Sequence, residues 1–272
     1  MNEISFIKMH GLGNDFVVVD ARAGDVALDS HRVRAVAERR LGVGCDQLLE
    51  ICPPQSDEAV AFMRIWNADG GQVEACGNGA RCVAAFLMTE SGSTEVAIET
   101  QAGLLRAAAA GDGRVAVDMG EARVAWREIP LARKMDTLEL KLSLGGLSAP
   151  VAVSMGNPHA VFFVPNAEDV DLTTLGPKLE THKLFPERAN IGVAEVLDDA
   201  HIRLRVWERG VGITQACGTG ACAALVAAAR RGLTGRSATV TLDGGPLEIE
   251  WQDDNHVRMT GPVATSFMGL LL

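Results

Sequence analysis

The chain lacks the marks of several functional classes. Of its 272 residues, 25 are Lys or Arg against 35 Asp or Glu, a net charge of −10. That deficit of basic charge argues against a nucleic-acid or membrane-surface partner and for a small molecule. Met1 to Phe16 shows neither the basic start nor the long apolar run of a secretory signal, and no apolar run approaches the roughly 20 residues of a spanning helix. A soluble, cytoplasmic protein is expected. The six cysteines, Cys45, Cys52, Cys76, Cys82, Cys217 and Cys222, contain no C-x-x-C pair for zinc or dithiol exchange. They are read as free thiols rather than a disulfide framework.

What is present is a duplication. Ala75-Cys76-Gly77-Asn78-Gly79-Ala80 is matched 141 positions later by Ala216-Cys217-Gly218-Thr219-Gly220-Ala221, and each segment opens an apolar run. Trp66-Asn67 and Trp207-Glu208 precede the two segments at the same offset. Gly13-Asn14 before Phe16 to Val19 is echoed by Gly156-Asn157 before Ala160 to Val164, and Asn14 stands as far from Gln47 as Asn157 from Asn190. Two long copies indicate a domain duplication, since a solenoid needs more repeats of shorter period. The expected halves are 1–119, with a returning tail at 262–272, and 120–261.

Each half reads as strands, a first helix, more strands and a second helix that is apolar on nearly every face apart from Arg81. In the first half the strands are Ile4 to Met9, Phe16 to Asp20, Gln47 to Cys52, Val60 to Trp66, Thr94 to Thr100, Gly103 to Ala109 and Arg114 to Met119. The helices run from a Ser30 cap to Gly42 and from Cys76 to about Thr89. In the second half the strands are Leu138 to Leu144, Pro150 to Met155, Ala160 to Val164, Ile191 to Val196, Ile202 to Trp207, Ala238 to Leu242, Leu247 to Trp251 and Val257 to Met259. Its helices are Asp171 to His182 and Cys217 to about Gly232. Asp112-Gly113 marks a hairpin turn. Helices apolar on nearly every face are buried on all sides, so each half is expected to wrap a mixed sheet around its central helix, an α/β fold in two pseudo-symmetric domains.

Glycine after each of Cys76 and Cys217 permits close backbone approach, and a helix start favours an anion. A thiol there is expected to ionise more readily than the ordinary value of about 8.5. Inverting a carbon without a cofactor needs a base on one face and an acid on the other, which two matched thiols supply. Asn14, Gln47, Asn67, Asn78, Asn157 and Asn190 are neutral donor-acceptors at strand ends, and Glu208-Arg209 can pair an ammonium and a carboxylate. Asn after Gly is often only a turn residue and a histidine beside proline is often structural. Repetition in register favours function for the asparagines, and the place of His159 in the matched loop favours a supporting role. Cys45, Cys52, Cys82 and Cys222 read as packing.

Lys8-Met9-His10-Gly11-Leu12-Gly13-Asn14-Asp15-Phe16, Asn67-Ala68-Asp69-Gly70, Cys76-Gly77-Asn78-Gly79-Ala80-Arg81-Cys82, Gly156-Asn157-Pro158-His159 and Glu208-Arg209-Gly210 with Ala216-Cys217-Gly218-Thr219-Gly220 resemble the diaminopimelate epimerase family. The resemblance spans the chain. It implies interconversion of LL- and meso-diaminopimelate without pyridoxal phosphate or metal, in the supply of lysine and peptidoglycan, by a homodimer with substrate between its domains. It implies that Cys76 and Cys217 are the acid/base pair, with His159 and Glu208 next to the substrate. Asn14, Gln47, Asn67, Asn157, Asn190 and Arg209 would hold the amines and distal carboxylate, and Gly77-Asn78 and Gly218-Thr219 the α-carboxylate. Gly71, Ala75 and Ile213 depart from the pattern, which favours serine, a larger residue and glutamate.

A proline or hydroxyproline racemase shares the two-thiol logic, but a cyclic amino acid has no second charged end for Asn67, Asn190 and Arg209. A thiol hydrolase built on Cys217 and His159 would leave Cys76 and the duplication unexplained.

Overall fold

The computed structural model describes residues 3–24, 26, 28–74 and 76–271. It divides into two compact units, Met1–Asp118 with Thr260–Leu272, and Met119–Met259. The first carries strands β1 (Ile4–Gly11), β2 (Asn14–Asp20), β3 (Gln47–Cys52), β4 (Ala61–Asn67), β5 (Gln72–Val73), β6 (Glu95–Thr100), β7 (Gly103–Ala109) and β8 (Arg114–Glu121). Its helices are α1 (Ser30–Ala37) and α2 (Gly77–Ser91). The second carries β9 (Ser143–Leu144), β10 (Leu147–Ser148), β11 (Val151–Ser154), β12 (Pro158–Phe163), β13 (Asn190–Val196), β14 (His201–Glu208), β15 (Gly212–Ile213), β16 (Ser237–Leu242), β17 (Gly245–Trp251) and β18 (His256–Pro262). Helices α3 (Leu172–Glu180) and α4 (Gly218–Arg230) belong to it, and the closing strand β19 (Ala264–Leu271) belongs to the first unit.

Pairing repeats between the units. In the first, β1–β2 is antiparallel, β2–β3 parallel, β3–β4 and β4–β5 antiparallel, β4–β6 parallel and β6–β7 antiparallel. In the second, the same sequence of hands runs through β11–β12, β12–β13, β13–β14, β14–β15, β14–β16 and β16–β17. Parallel neighbours require a crossover, which α1 and α2 supply in one unit and α3 and α4 in the other. Strands covered on both faces read as continuous apolar runs. Phe16, Val17, Val18 and Val19 are accordingly all buried. Helix α4 buries ten residues from Gly218 to Ala228 and α2 nine from Asn78 to Met88, as helices at the centre of a wrapped sheet must.

Two expected elements differ. Helix α1 is capped by Asp29, whose Oδ1 accepts the Arg32 N–H at 2.7 Å, and it stops at Ala37. Glu38 is extended and its carboxylate accepts the N–H groups of Arg40 (2.6 Å) and Leu41, replacing the helical bonds that would continue to Gly42. The strand expected over Leu138 to Leu144 shrinks to the hairpin β9–β10 around Gly145-Gly146, both with positive φ. Leu140 and Leu142 still enter the core, but through loop backbone. Asp112 and Gly113 have φ of 50° and 69° between β7 and β8, the mirror-turn geometry that suits a twisted hairpin. Strand β19 pairs antiparallel with β1, Ile4 opposite Leu271, with a bulge between Lys8 and Met9. Among the described residues no helix is long and apolar enough to cross a membrane.

Candidate active site

In the first unit, Cys76 is the N-cap of α2 and its Sγ accepts the Gly79 N–H at 3.3 Å. A Cβ on residue 79 would lie 3.1 Å from Leu49 Cδ1 and 3.4 Å from that sulfur, so the helix start packs closely on β3. The Asn78 Nδ2 donates to Asn14 Oδ1 at 3.3 Å, and Asn14 Nδ2 donates to Asp46 Oδ2 at 2.9 Å. Gln47 and Asn67 face each other across β3–β4 and are joined by Nε2 to Oδ1 at 2.9 Å. Beside Asn14, Asp15 receives Lys8 Nζ at 2.5 Å and Arg39 at 2.8 Å, and Arg39 also reaches Asp46 at 2.7 Å. Burial raises the Asp15 pKa, but the hydrogen bonds and charges of Arg39 and Lys8 outweigh it and hold the carboxyl well below the usual range. Ala75 lies outside the described residues. Gly71 donates its N–H to Asp69 Oδ1 at 2.8 Å in the turn after Asn67.

In the second unit, Cys217 is the N-cap of α4, 4% exposed, with Sγ 3.7 Å from Thr219 Oγ1. Glu208, at the end of β14, accepts a hydrogen bond from Thr214 Oγ1. Burial pushes the Glu208 carboxyl up, against the lowering effect of Thr214 and of the nearby Cys217. Burial pushes the Cys217 thiol up well beyond its ordinary value, and the Glu208 charge adds to it. This runs against the readier ionisation expected from the helix start: removal of water and an adjacent carboxylate outweigh the hydrogen bonds from Thr219 and the Gly220 N–H.

His159 is 1% exposed, and burial followed by the Arg209 charge lowers its pKa to about 3, so the imidazole is neutral near pH 7. Its Nε2 lies 2.9 Å from Asn157 Oδ1, and Asn157 Nδ2 donates to Thr219 Oγ1 at 3.3 Å. The polar neighbour of His159 is thus Asn157, while those of Cys217 are Glu208 and Thr219, which weighs against a Cys217–His159 hydrolytic pair. Asn190 Nδ2 donates to the Pro158 carbonyl at 3.2 Å, and its Oδ1 accepts the Arg209 N–H at 2.9 Å. The Arg209 guanidinium donates to the Glu187 carbonyl at 2.9 Å.

Each unit thus gathers its own set. Asn14, Gln47, Asn67, Cys76, Gly77 and Asn78 cluster at one sheet edge and helix start; Asn157, His159, Asn190, Glu208, Arg209, Cys217, Gly218 and Thr219 cluster at the other. Asp46 and Thr214 fasten Asn14 and Glu208, and the sequence signals them only by adjacency to Gln47 and by membership of the turn before Cys217. Ile213 sits opposite Trp207 in β15, 39% exposed, outside the bond between Thr214 and Glu208. Burial raises Cys45 and Cys52 to about 11 and Cys82 to about 12, as packing thiols. Among the described residues no group of three or more His, Cys, Asp or Glu is placed to hold a metal ion.

Comparison with known proteins follows the same lines. The chain is 59% identical over 98% of its length to the diaminopimelate epimerase of Rhodospirillum centenum, covering 91% of that protein. It is 55% identical to the diaminopimelate epimerase of Acidiphilium cryptum, over 98% of this chain and 95% of that one. A solved hydroxyproline epimerase from Agrobacterium vitis has the same fold, with a TM-score of 0.71 at 16% identity over 99% of this chain and 92% of its own. The family model for diaminopimelate epimerase matches residues 6–125 and 151–266, and with these relatives it shows that the chain belongs to the diaminopimelate epimerase family.

Proposed function

We propose that the protein epimerises diaminopimelate at one α-carbon, interconverting the LL and meso forms by proton transfer between Cys76 and Cys217, and so serves lysine and peptidoglycan synthesis. The carrying observation is the repeated half-site: each unit places one cysteine at the N-cap of a buried central helix, with a carboxamide from the preceding loop bonded to the helix's second residue. One thiolate removes the α-hydrogen as a proton, and the opposing thiol delivers its own proton to the other face. The thiols exchange states, and no net proton is gained or lost. Charge developing on the α-carboxylate is met by the N–H groups at Gly77-Asn78 and Gly218-Thr219. Asn14, Gln47, Asn67, Asn157, Asn190 and Arg209 bind the amines and the distal carboxylate. His159, neutral, and Glu208 support the reacting centre.

The active species proposed is a homodimer. Support comes from β19, whose Phe267, Met268 and Leu270 are exposed and whose eight residues contain no charge. An exposed apolar patch without charge is a surface that association would cover.

Proton NMR with LL-diaminopimelate in D₂O, reductant present and no cofactor added, tests the reaction. Formation of the meso isomer with deuterium at one α-carbon, abolished by Cys76→Ala and by Cys217→Ala, is expected. Proline turnover without diaminopimelate turnover would replace this reading with the racemase.

A further inference from the structure

The segment that carries Glu208 and Arg209 is held from behind by a buried carboxylate that the reaction itself does not use. Glu180 is the last residue of α3, and its side chain is buried. A helix ends on its negative pole, so local preference does not place a carboxylate there. Its tertiary contacts account for it. Glu180 Oε2 accepts the Trp207 indole N–H at 2.7 Å, and Oε1 accepts the Gly210 N–H at 3.1 Å. Arg188 also reaches Oε1, at 3.4 Å, but from an exposed side chain, where water screens the pair. The Glu180 backbone carbonyl accepts the Ala189 N–H at 3.2 Å. One residue therefore ties the segment 187–190 to the segment 207–210. Asn190 completes the tie, since its Oδ1 accepts the Arg209 N–H at 2.9 Å. Two consecutive N–H groups, of Arg209 and Gly210, are thus caught by Asn190 and Glu180.

The first unit fixes its matching indole with a different residue. Trp66, 141 positions before Trp207, donates its indole N–H to Glu50 Oε2 at 3.1 Å, and Arg64 reaches the same oxygen at 3.0 Å. Glu50 is also buried, but it lies on β3, and the residue 141 positions after it is Ile191. Equivalent indoles are fixed by carboxylates that are not equivalent. What the two units share is therefore a pinned indole directly before Asn67 or Glu208. Only Glu180 adds a second hold, on the backbone beside Arg209.

We propose that Glu180 is a positioning residue with two arms: through Gly210 it keeps Arg209 beside Asn190 and so sets substrate binding, and through Trp207 it places Glu208 and so sets the rate. This rests on the proposed epimerisation and deepens it.

Steady-state kinetics with diaminopimelate separate the arms. Glu180→Leu removes both, and KM should rise by about tenfold or more, the weight of one hydrogen bond to a charged group, while kcat falls. Trp207→Phe removes only the indole arm, so kcat should fall and KM should hold. A purely structural role would lower the active fraction, which reduces kcat in both variants and leaves KM alone. Glu180→Gln serves where the leucine variant does not fold. Its one carbonyl oxygen replaces only one of the two carboxylate oxygens, so one N–H donor faces an amide nitrogen and either KM or kcat must shift. Hydrogen exchange at the Gly210 amide and the Trp207 indole, followed by NMR without substrate, reads the clasp directly and should quicken at one or both in Glu180→Gln. An unchanged KM in Glu180→Leu, an equal rise of KM in Trp207→Phe, or unaltered exchange at both protons overturns the proposal. A wild-type protein that neither binds diaminopimelate in calorimetry nor epimerises it defeats the functional reading instead, while the exchange rates still decide whether Glu180 holds the turn.

Discussion

Gly176→Ala should loosen the second half-site from a distance, and the size of the effect follows from the packing of α3. A Cβ built on Gly176 falls 2.4 Å from Trp207 Cδ2, 2.6 Å from Cγ and 2.7 Å from Cε3, all atoms of a rigid indole. Ordinary contact begins near 3.4 Å, so the ring must retreat by about 1 Å. The indole is held by a hydrogen bond from Nε1 to Glu180 Oε2 at 2.7 Å, and Glu180 also accepts the Gly210 N–H at 3.1 Å. Overpacking costs about 1–3 kcal/mol and a weakened hydrogen bond about 1 kcal/mol. Alanine in place of glycine in a helix returns about 0.5–1 kcal/mol. The net loss is therefore about 1–3 kcal/mol, read as a lower urea midpoint at unchanged slope. Trp207 adjoins Glu208, and a misplacement near 1 Å can cost about 100-fold in rate. The variant should lose kcat by at least tenfold while folded. Unchanged stability and unchanged kcat together would refute the argument that α3 sets the position of Glu208 through this indole.

Three further outcomes are expected. The Asp15 carboxyl, lowered in the folded state by Arg39 and Lys8, adds stability that is fully present above the unfolded carboxylate pKa of about 3.9 and is lost as pH falls toward the folded value; Asp15→Asn should flatten the acid slope of the urea midpoint, and an unaltered slope would contradict the ion cluster. Buried His159, with a folded pKa of about 3, stays neutral while the unfolded chain takes up a proton near 6.5, so it lowers stability by up to ~1.4 kcal/mol per pH unit as pH falls below that point; nitrogen-15 NMR showing a charged ring at pH 6 would refute this. Met268→Glu, at a position 72% exposed on β19, should shift the proposed dimer to monomer in sedimentation without a change in thermal midpoint measured on the monomer; persistence of the dimer would move the association surface elsewhere.

The parts of this molecule that were legible in the sequence are those set by period and spacing. Valine runs marked the central strands, the long apolar stretches marked α2 and α4, and the offset of 141 marked the two cysteine half-sites. What escaped was set by local competition or by burial. Glu38 ends α1 because its own carboxylate captures the next backbone N–H groups, a choice that Ser30 to Gly42 does not reveal as a pattern. The Leu138 to Leu144 alternation looks like a strand, yet the Gly145-Gly146 turn folds only two residues on each side into a ladder. At Cys217 the helix start is legible, but the loss of water around the sulfur is a property of packing, and it reverses the direction of the pKa shift. Thr214 and Asp46 act through single side-chain hydrogen bonds that leave no periodic trace.

The topology explains why duplication could keep the site while its residues diverged. In each unit the parallel pair β2–β3, or β12–β13, begins at the same sheet edge at which the antiparallel neighbour β4, or β14, ends. That edge is also where the chain turns through β5, or β15, into the central helix. Loop carboxamide, strand-start amide, strand-end polar group and helix-start thiol are therefore brought together by connectivity alone, whatever side chains occupy the positions. Backbone N–H groups at the helix start serve any anion. Identity at each position is then free to set chemistry: His159, Glu208 and Arg209 stand in the second half where the first has Phe16, Asn67 and Ala68, while Asp15 and Asp46 beside Asn14 give the first half charges of its own. Duplication thus supplies matched half-site geometry, and substitution within it supplies the differences in chemistry.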